Sequence, residues 1–311
     1  MSARLETAGN ACTHWDAKAY QQFSRLRQRP VNELLDSVDL HDPKRIYDLG
    51  CGTGIATQVL AQRWPRAQLL GVDSSRQMLD QARRLPINAQ WQECDLLDWQ
   101  PRQPADLLLA AAVLHFIGDH QHLLPRLLSH LNPGGCLAVH MPDWRDALWY
   151  RLMLDTLENG GPDGTPIGTP ELRQRMAARP LLALEDYYRL LAPMTTSLDI
   201  WETEQLQVVD GKSPVYDWVK VSALRPVMQA LSPEEQTRFI YHYLMRVHEH
   251  YPQEGDGHTL FAFKRIFIVA TVCDLFRFQP SLAGFDTQLI PHRFSQMKRR
   301  IRRRNPTVNC T

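Results

Sequence analysis

The chain reads as an α/β protein built on a mostly parallel sheet, and three observations point there. Apolar β-type runs alternate with helical periodicity from Lys44 to Met141. The first run breaks into a glycine-rich turn, Gly50-Cys51-Gly52-Thr53-Gly54, where glycine lets the backbone turn tightly and approach a ligand. Three successive runs also end in an acid, at Asp48, Asp73 and Asp95.

Taken in order, Lys44 to Asp48 is the first strand and Ile55 to Arg63 the helix after the turn. Leu69 to Asp73 and Ala89 to Leu96 are the second and third strands. The fourth, Ala105 to Val113, holds the longest apolar run, as expected of a parallel strand buried on both faces. Leu131-Asn132-Pro133-Gly134-Gly135 reads as a helix stop and turn before a fifth strand, Cys136 to Met141. The rhythm then changes. Helical patterns cover 146–159, 170–176 and 185–191, with a Gly/Pro/Thr-rich loop at 160–169. Thr195 to Val209 returns to strand character, and 214–231 and 232–251 are helical again. Ser232-Pro233-Glu234-Glu235 is a strong helix start: an N-cap serine, proline at the first position and acids in the first turn. Thr259 to Val272 is a last, long apolar strand. The expected division is a lid helix and ligand-binding core over 1–142 and a helical cap in two parts, 143–194 and 211–258. Core strands at 195–210 and 259–272 and an extension at 273–311 complete it. The cap would cover the C-terminal edge of the sheet, where open α/β sheets bind ligands, and make a dry pocket for a small molecule.

With 311 residues, 44 % of them hydrophobic, and a formal charge of +1, the chain can hold one sizeable core plus a smaller subdomain. No stretch approaches the roughly 20 apolar residues that span a bilayer, so no membrane association is expected. Met1 to Asn10 lacks the pattern of a signal peptide. The six cysteines are scattered without a C-x-x-C pair, which favours reduced thiols, a cytoplasmic location and no metal site. Lys298 to Arg304 carries six positive charges. Such a run can mark nucleic acid, but the remaining body is net acidic, and a solvated tail or the basic end of a terminal helix is the simpler reading.

An acid ahead of the glycine turn would repel a diphosphate, whereas it suits a ligand with an ammonium and a sulfonium. The pattern Asp48-x-Gly50-x-Gly52-x-Gly54 resembles motif I of class I S-adenosylmethionine-dependent methyltransferases, which implies a Rossmann-like seven-stranded sheet with its last strand reversed. The resemblance implies S-adenosyl-L-methionine as cofactor. Asp73, with Ser74, would then accept the ribose hydroxyls. Asp95 would meet the adenine amino group, with the Leu96 N–H beside the ring.

More narrowly, most of residues 15–272 resembles the trans-aconitate 2-methyltransferase family. Arg29-Pro30-Val31-Asn32-Glu33, Arg63-Trp64-Pro65, Met141-Pro142-Asp143 and above all Trp218-Val219-x-x-x-x-Leu224-Arg225-Pro226 carry the likeness. His115-Phe116 stands where relatives usually show Gln-Trp, Thr53 replaces a common proline, and 273–311 exceeds the family's length. The implied reaction is methylation of a carboxylate oxygen on a small anionic acid by a monomer or weak dimer. Arg225, beside a helix-ending proline, would clamp the carboxylate, and His115 would stand at the reaction edge. Arg29, at the start of the first helix, and Tyr20 are further cofactor contacts. Trp15, Phe116, Trp144, Tyr188 and Trp218 are acceptor-pocket candidates. A natural-product O- or N-methyltransferase and a cofactor-sensing nucleic-acid-binding protein stay open as alternatives.

Overall fold

The computed structural model describes residues 24–178, 181–273 and 299–304. Helix α1 (Ser24–Leu35) leads into β1 (Arg45–Leu49), α2 (Ile55–Arg63), β2 (Gln68–Asp73), α3 (Arg76–Ala82) and β3 (Ala89–Glu93). Strand β4 (Ala105–Ala111) is followed by a single 3-10 turn, Leu114–Phe116, then α4 (His120–Leu128) and β5 (Leu131–Pro142). These five strands pair in parallel in the order β3-β2-β1-β4-β5. Strand β7 (Thr259–Val272) lies antiparallel between β5 and β6 (Thr195–Val209), so the strand reversal expected from the resemblance is present.

Alternation along the buried strands divides the core. On β4, Leu107 and Leu109 face a layer with Leu34, Leu35 and Leu60 of α1 and α2. Leu108 and Ala110 face the opposite layer, with Leu123 and Leu127 of α4 and Tyr187 of α7 (Leu184–Leu191). Both faces are dry, which is why the strand has no polar alternation. A third apolar cluster joins α5 (Leu148–Asn159), α6 (Pro170–Ala177), α8 (Pro214–Lys220), α9 (Arg225–Ala230) and α10 (Pro233–His250) to the distal half of β7. Trp149, Met153, Trp218, Phe239, Tyr243 and Phe261 form its centre, so the two insertions share one core. Ser232 begins α10 with a full capping box: its hydroxyl accepts from the Glu235 N–H, and Glu235 accepts from the Ser232 N–H.

Four features depart from the sequence reading. The sheet has eight strands, because Arg299–Arg304 forms β8, parallel to β6 at Leu198–Thr203. The long edge strand β6 presents an unpaired row of backbone groups, and an extended segment of any composition can satisfy it. The expected turn at 131–135 lies inside β5. Pairing jumps from Ala105↔Leu131 to Leu107↔Cys136, and the extra residues form an irregularity in the ladder. Pro30 sits within α1 rather than opening it. Its missing N–H forfeits one helical bond, while Val31, Leu34 and Leu35 beyond it bury completely enough to hold the helix down. Finally, 214–231 breaks into α8 and α9, and Pro226 stands in the first turn of α9, where no N–H is needed. It begins a helix instead of ending one.

Candidate active site

A cavity of about 460 Å³ opens at the C-terminal edge of β1, β2 and β4, beneath the cap. Its donor half is built on the glycine loop. The Gly50 and Cys51 N–H groups donate to the Val72 carbonyl at 2.7 and 3.0 Å, fixing the loop to β2. Gly50, Gly52 and Gly54 all have positive φ (68°, 55° and 83°). A Cβ built on Gly52 meets nothing within 4 Å, so the space above it is open. Asp73 closes the other side. Its Oδ2 accepts from Gly52 N–H and its Oδ1 from Ser75 N–H, both at 2.8 Å. Burial raises the Asp73 pKa, and these two hydrogen bonds oppose the rise. Ser74 and Leu96 also line the cavity, as does Asp95, which is exposed and accepts from Leu97 N–H at 2.9 Å. A bare backbone cradle beside an acid with spare lone pairs suits the cationic, ribose-bearing S-adenosylmethionine.

Two donor-site expectations are corrected. Asp48 does not line the cavity. It is 1 % exposed, and its Oδ2 accepts the Thr57 hydroxyl at 2.5 Å behind the loop. Burial first, then the charge of Asp73, pushes its pKa up to about 7. Gly54 is likewise off the cavity wall. It is the N-cap of α2, and a Cβ there would strike Leu85 and Trp91 at 2.6 and 2.9 Å. Both residues shape the loop from beneath.

The rest of the cavity begins at the 3-10 turn. His115 is buried, its ring centroid 3.9 Å from that of Phe116 and 4.8 Å from that of Trp144. All three line the cavity, with Trp149 and Trp218. Burial, and then the neighbouring His140 and His120, hold the His115 pKa well below the usual histidine value. Its Nδ1 has no hydrogen-bond partner among the described residues. The turn is tied down by His120. Its Nε2 lies 2.8 Å from the Leu114 carbonyl and so carries the proton, and its Nδ1 accepts from the Tyr187 hydroxyl at 2.6 Å. Ala112, just before the turn, takes φ of 56°, a strained value for a residue with a Cβ.

Three arginines reach the cavity from three elements: Arg27 of α1, Arg225 of α9 and Arg265 of β7. Burial lowers the pKa of Arg225. Arg27 lies over the Trp218 ring, 5.0 Å from its centroid. Arg265 is 3 % exposed and donates from Nη1 to Gln205 Oε1 at 3.0 Å. His140, also buried, lines the wall nearby, and burial pushes its pKa down to about 3.

Arg29 is exposed and does not line the cavity, whereas Arg27, two residues earlier, does. Two residues along a helix turn the side chain by about 200°, so only one of the pair can face inward. Tyr188 packs against the sheet core away from the cavity, while its fully buried neighbour Tyr187 holds His120. Trp15 and Tyr20 lie outside the described residues. Arg27, His140, Trp149 and Arg265 were missed by the sequence reading. A signal existed for Arg265: it takes the inward position of the alternation Phe261-x-Phe263-x-Arg265-x-Phe267. No cluster of metal-binding side chains occurs among the described residues. No described helix is long and apolar enough to cross a membrane.

Comparison with known proteins agrees with this architecture. Residues 46–135 match a family model described as a methyltransferase domain. The trans-aconitate 2-methyltransferase of Pseudomonas paraeruginosa (strain DSM 24068 / PA7) is 63 % identical over 265 residues, covering 85 % of this chain and 96 % of the relative. The protein of the same name from Azoarcus sp. (strain BH72) is 40 % identical, covering 82 % and 98 %. Among solved structures, the YcgJ protein from Bacillus subtilis shares the fold with a TM-score of 0.50 at 12 % identity, over 79 % of this chain and 99 % of that one. The cradle of glycines, the acid at the end of β2 and the capped sheet edge are thus those of an S-adenosylmethionine-dependent enzyme, and the chain belongs to the trans-aconitate 2-methyltransferase family of class I methyltransferases.

Proposed function

We propose that the enzyme methylates a carboxylate oxygen of a small polycarboxylic acid, with trans-aconitate as the first acceptor to test. One observation carries this reading: the cavity is segregated by charge. The acids lining it, Asp73 and Asp95, belong to the donor half, and the acceptor half holds three arginines and no carboxylate. A guanidinium meets a carboxylate through two parallel N–H donors, each charge-assisted bond contributing about 1.5–3 kcal/mol. The named activity of the Pseudomonas and Azoarcus relatives agrees with such a polyanion.

S-adenosylmethionine supplies an activated methyl group for an in-line displacement. The protein's part is to bind, align and exclude water. Asp73 and the Gly50–Gly54 loop hold the donor side, with the Leu96 backbone beside them. Arg225 and its partners hold an acceptor already ionised at neutral pH, since an ordinary carboxyl titrates near 4, so no base is needed. Trp144, Trp149, Phe116 and Trp218 keep the site dry. Orientation of this kind can contribute about 7–11 kcal/mol. His115 stands beside the reacting region as a neutral ring, its basicity reduced by burial, and this argues against an acceptor that must surrender a proton. It serves as part of the wall of the pocket.

The test is turnover of purified enzyme with S-adenosylmethionine and a panel of mono-, di- and tricarboxylates, with product identified by mass as a methyl ester. A rate with trans-aconitate that is flat from about pH 6 to 9 is expected. Methylation of a phenol or amine in preference to every acid in the panel would refute the reading.

A further inference from the structure

Arg265 has an environment that its sheet does not explain. It stands mid-strand on β7, buried, with its guanidinium carbon 4.5 Å from the centroid of the Phe263 ring. Its guanidinium donates to a neutral amide, Gln205. Among the described residues it forms no ion pair. Glu33 on α1 is near enough to be felt, but its Oε1 already accepts from Trp201 Nε1 at 3.1 Å and Thr203 Oγ1 at 2.6 Å. The other charges around it, Arg27 and Arg29, are repulsive. The Nε2 of that Gln205 is itself buried without a partner among the described residues. A charged group in such a place is unfavourable unless something pairs with it. The cavity it lines is the place where an anion can enter.

Its position in the sheet adds a length. The donor loop leaves β1, and the 3-10 turn with His115 follows β4. Arg265 is on β7, two strands beyond β4 in the order β4-β5-β7, with Pro142 of β5 as its register partner. At about 4.8 Å per strand that places its backbone about 10 Å from β4. The interval fits an acceptor whose second carboxylate lies several bonds from the first, together with the guanidinium that meets it.

We propose that Arg265 is the specificity-determining residue that receives a carboxylate other than the one methylated. The acceptor is then selected by its second charge, at a set distance from the first. This assignment rests on the polycarboxylate reading above. The acceptor's remote carboxylate supplies the counter-ion that the fold withholds, and no bond to Arg265 changes during methyl transfer.

The experiment compares wild type, Arg265→Met and Arg265→Lys with trans-aconitate and with crotonate, a monocarboxylate. S-adenosylhomocysteine binding serves as the control for an intact fold. The Met variant is expected to raise KM for trans-aconitate at least tenfold with kcat within about threefold. The tricarboxylate-over-monocarboxylate ratio of kcat/KM should fall at least tenfold, and S-adenosylhomocysteine affinity should hold. Because a buried unpaired charge is removed, the ligand-free Tm of this variant should match or exceed wild type. An unchanged ratio in a variant that still binds S-adenosylhomocysteine overturns the assignment. Should the Met variant fail to bind it, the Lys variant decides. It keeps the charge but loses the planar fork, and a wild-type KM for trans-aconitate would overturn the proposal. Wild-type enzyme that binds S-adenosylhomocysteine yet methylates no polycarboxylate is a separate result, which removes the functional reading itself.

Discussion

Gly50 and Gly52 sit two residues apart in one loop with similar positive φ, yet alanine at the two positions should do different things. At Gly50 the added Cβ would lie 2.3 Å from Val113 Cγ2 and 2.5 Å from its Cβ, an overlap with a branched side chain that has no free end to move. Left-handed backbone adds about 1–2 kcal/mol, and overpacking about 1–3 kcal/mol. Gly50→Ala should therefore destabilise by about 2–5 kcal/mol. Taking unfolding entropy at about 2.1 cal/mol/K per residue over the chain, 1 kcal/mol corresponds to about 1.5 °C, so Tm should fall by about 3–8 °C. At Gly52 the new methyl meets open space, leaving the backbone term of about 1–2 kcal/mol, or about 1.5–3 °C. That space is the donor half of the cavity, so Gly52→Ala should weaken S-adenosylhomocysteine binding at least tenfold. Thermal unfolding without ligand and isothermal titration separate the two effects. A Gly52→Ala enzyme with wild-type affinity, or a Gly50→Ala enzyme with wild-type Tm, would refute the geometry of the loop.

Other expectations follow from the same site. Arg225→Lys should raise KM for trans-aconitate about tenfold while S-adenosylhomocysteine affinity is unchanged, because a single ammonium replaces a bidentate fork; steady-state kinetics with titration checks both halves. His140 is neutral in the folded chain, its pKa pushed down to about 3, and titrates near 6.5 once unfolded. Below about pH 6.5 the unfolded chain binds a proton that the folded chain refuses, so stability falls with pH by up to about 1.4 kcal/mol per unit, down to about pH 3. Asp48, raised to about 7, acts in the opposite sense between about pH 4 and 7, but equally in both proteins compared. Urea midpoints measured from pH 7 to 5 should thus decline less steeply for His140→Asn than for wild type. Deleting residues 297–311 should leave methyl transfer within about tenfold of the full chain, since the described cavity lining runs from Arg27 to Arg265; a larger loss would place the C-terminal segment in the active site.

The core strands were legible because burial on both faces writes apolar runs such as Leu107 to Ala110 without interruption. The start of α10 was legible from Ser232 and Glu235, whose cap is local in sequence. Side-chain direction was the harder quantity. Asp48 and Asp73 look alike as acids at strand ends. Asp73 is the last residue of β2 and turns to the loop, whereas Asp48 is followed by Leu49 and alternation directs it under the loop to Thr57. Pro30 suggests a helix start and so draws attention to Arg29 beside it, whereas the helix begins earlier and Arg27 is the arginine that lines the cavity. Arg265 was hidden in a stretch read for its hydrophobicity, where one charge at an inward position carries more information than the apolar residues around it. His120 and Tyr187 are 67 residues apart, and no local pattern announces a contact across that distance.

The arginine-lined wall also bears on how a cycle ends. A carboxylate enters as an anion, and its methyl ester leaves that position neutral. The guanidinium that held it then keeps at best a hydrogen bond to an uncharged carbonyl, about half as strong as the charge-assisted contact it replaces. On the proposed chemistry, the act of methylation erodes the affinity that positioned the molecule. Discharge of the ester is therefore driven by the reaction's own change of charge, while a fresh, fully ionised acid outcompetes it for the same wall.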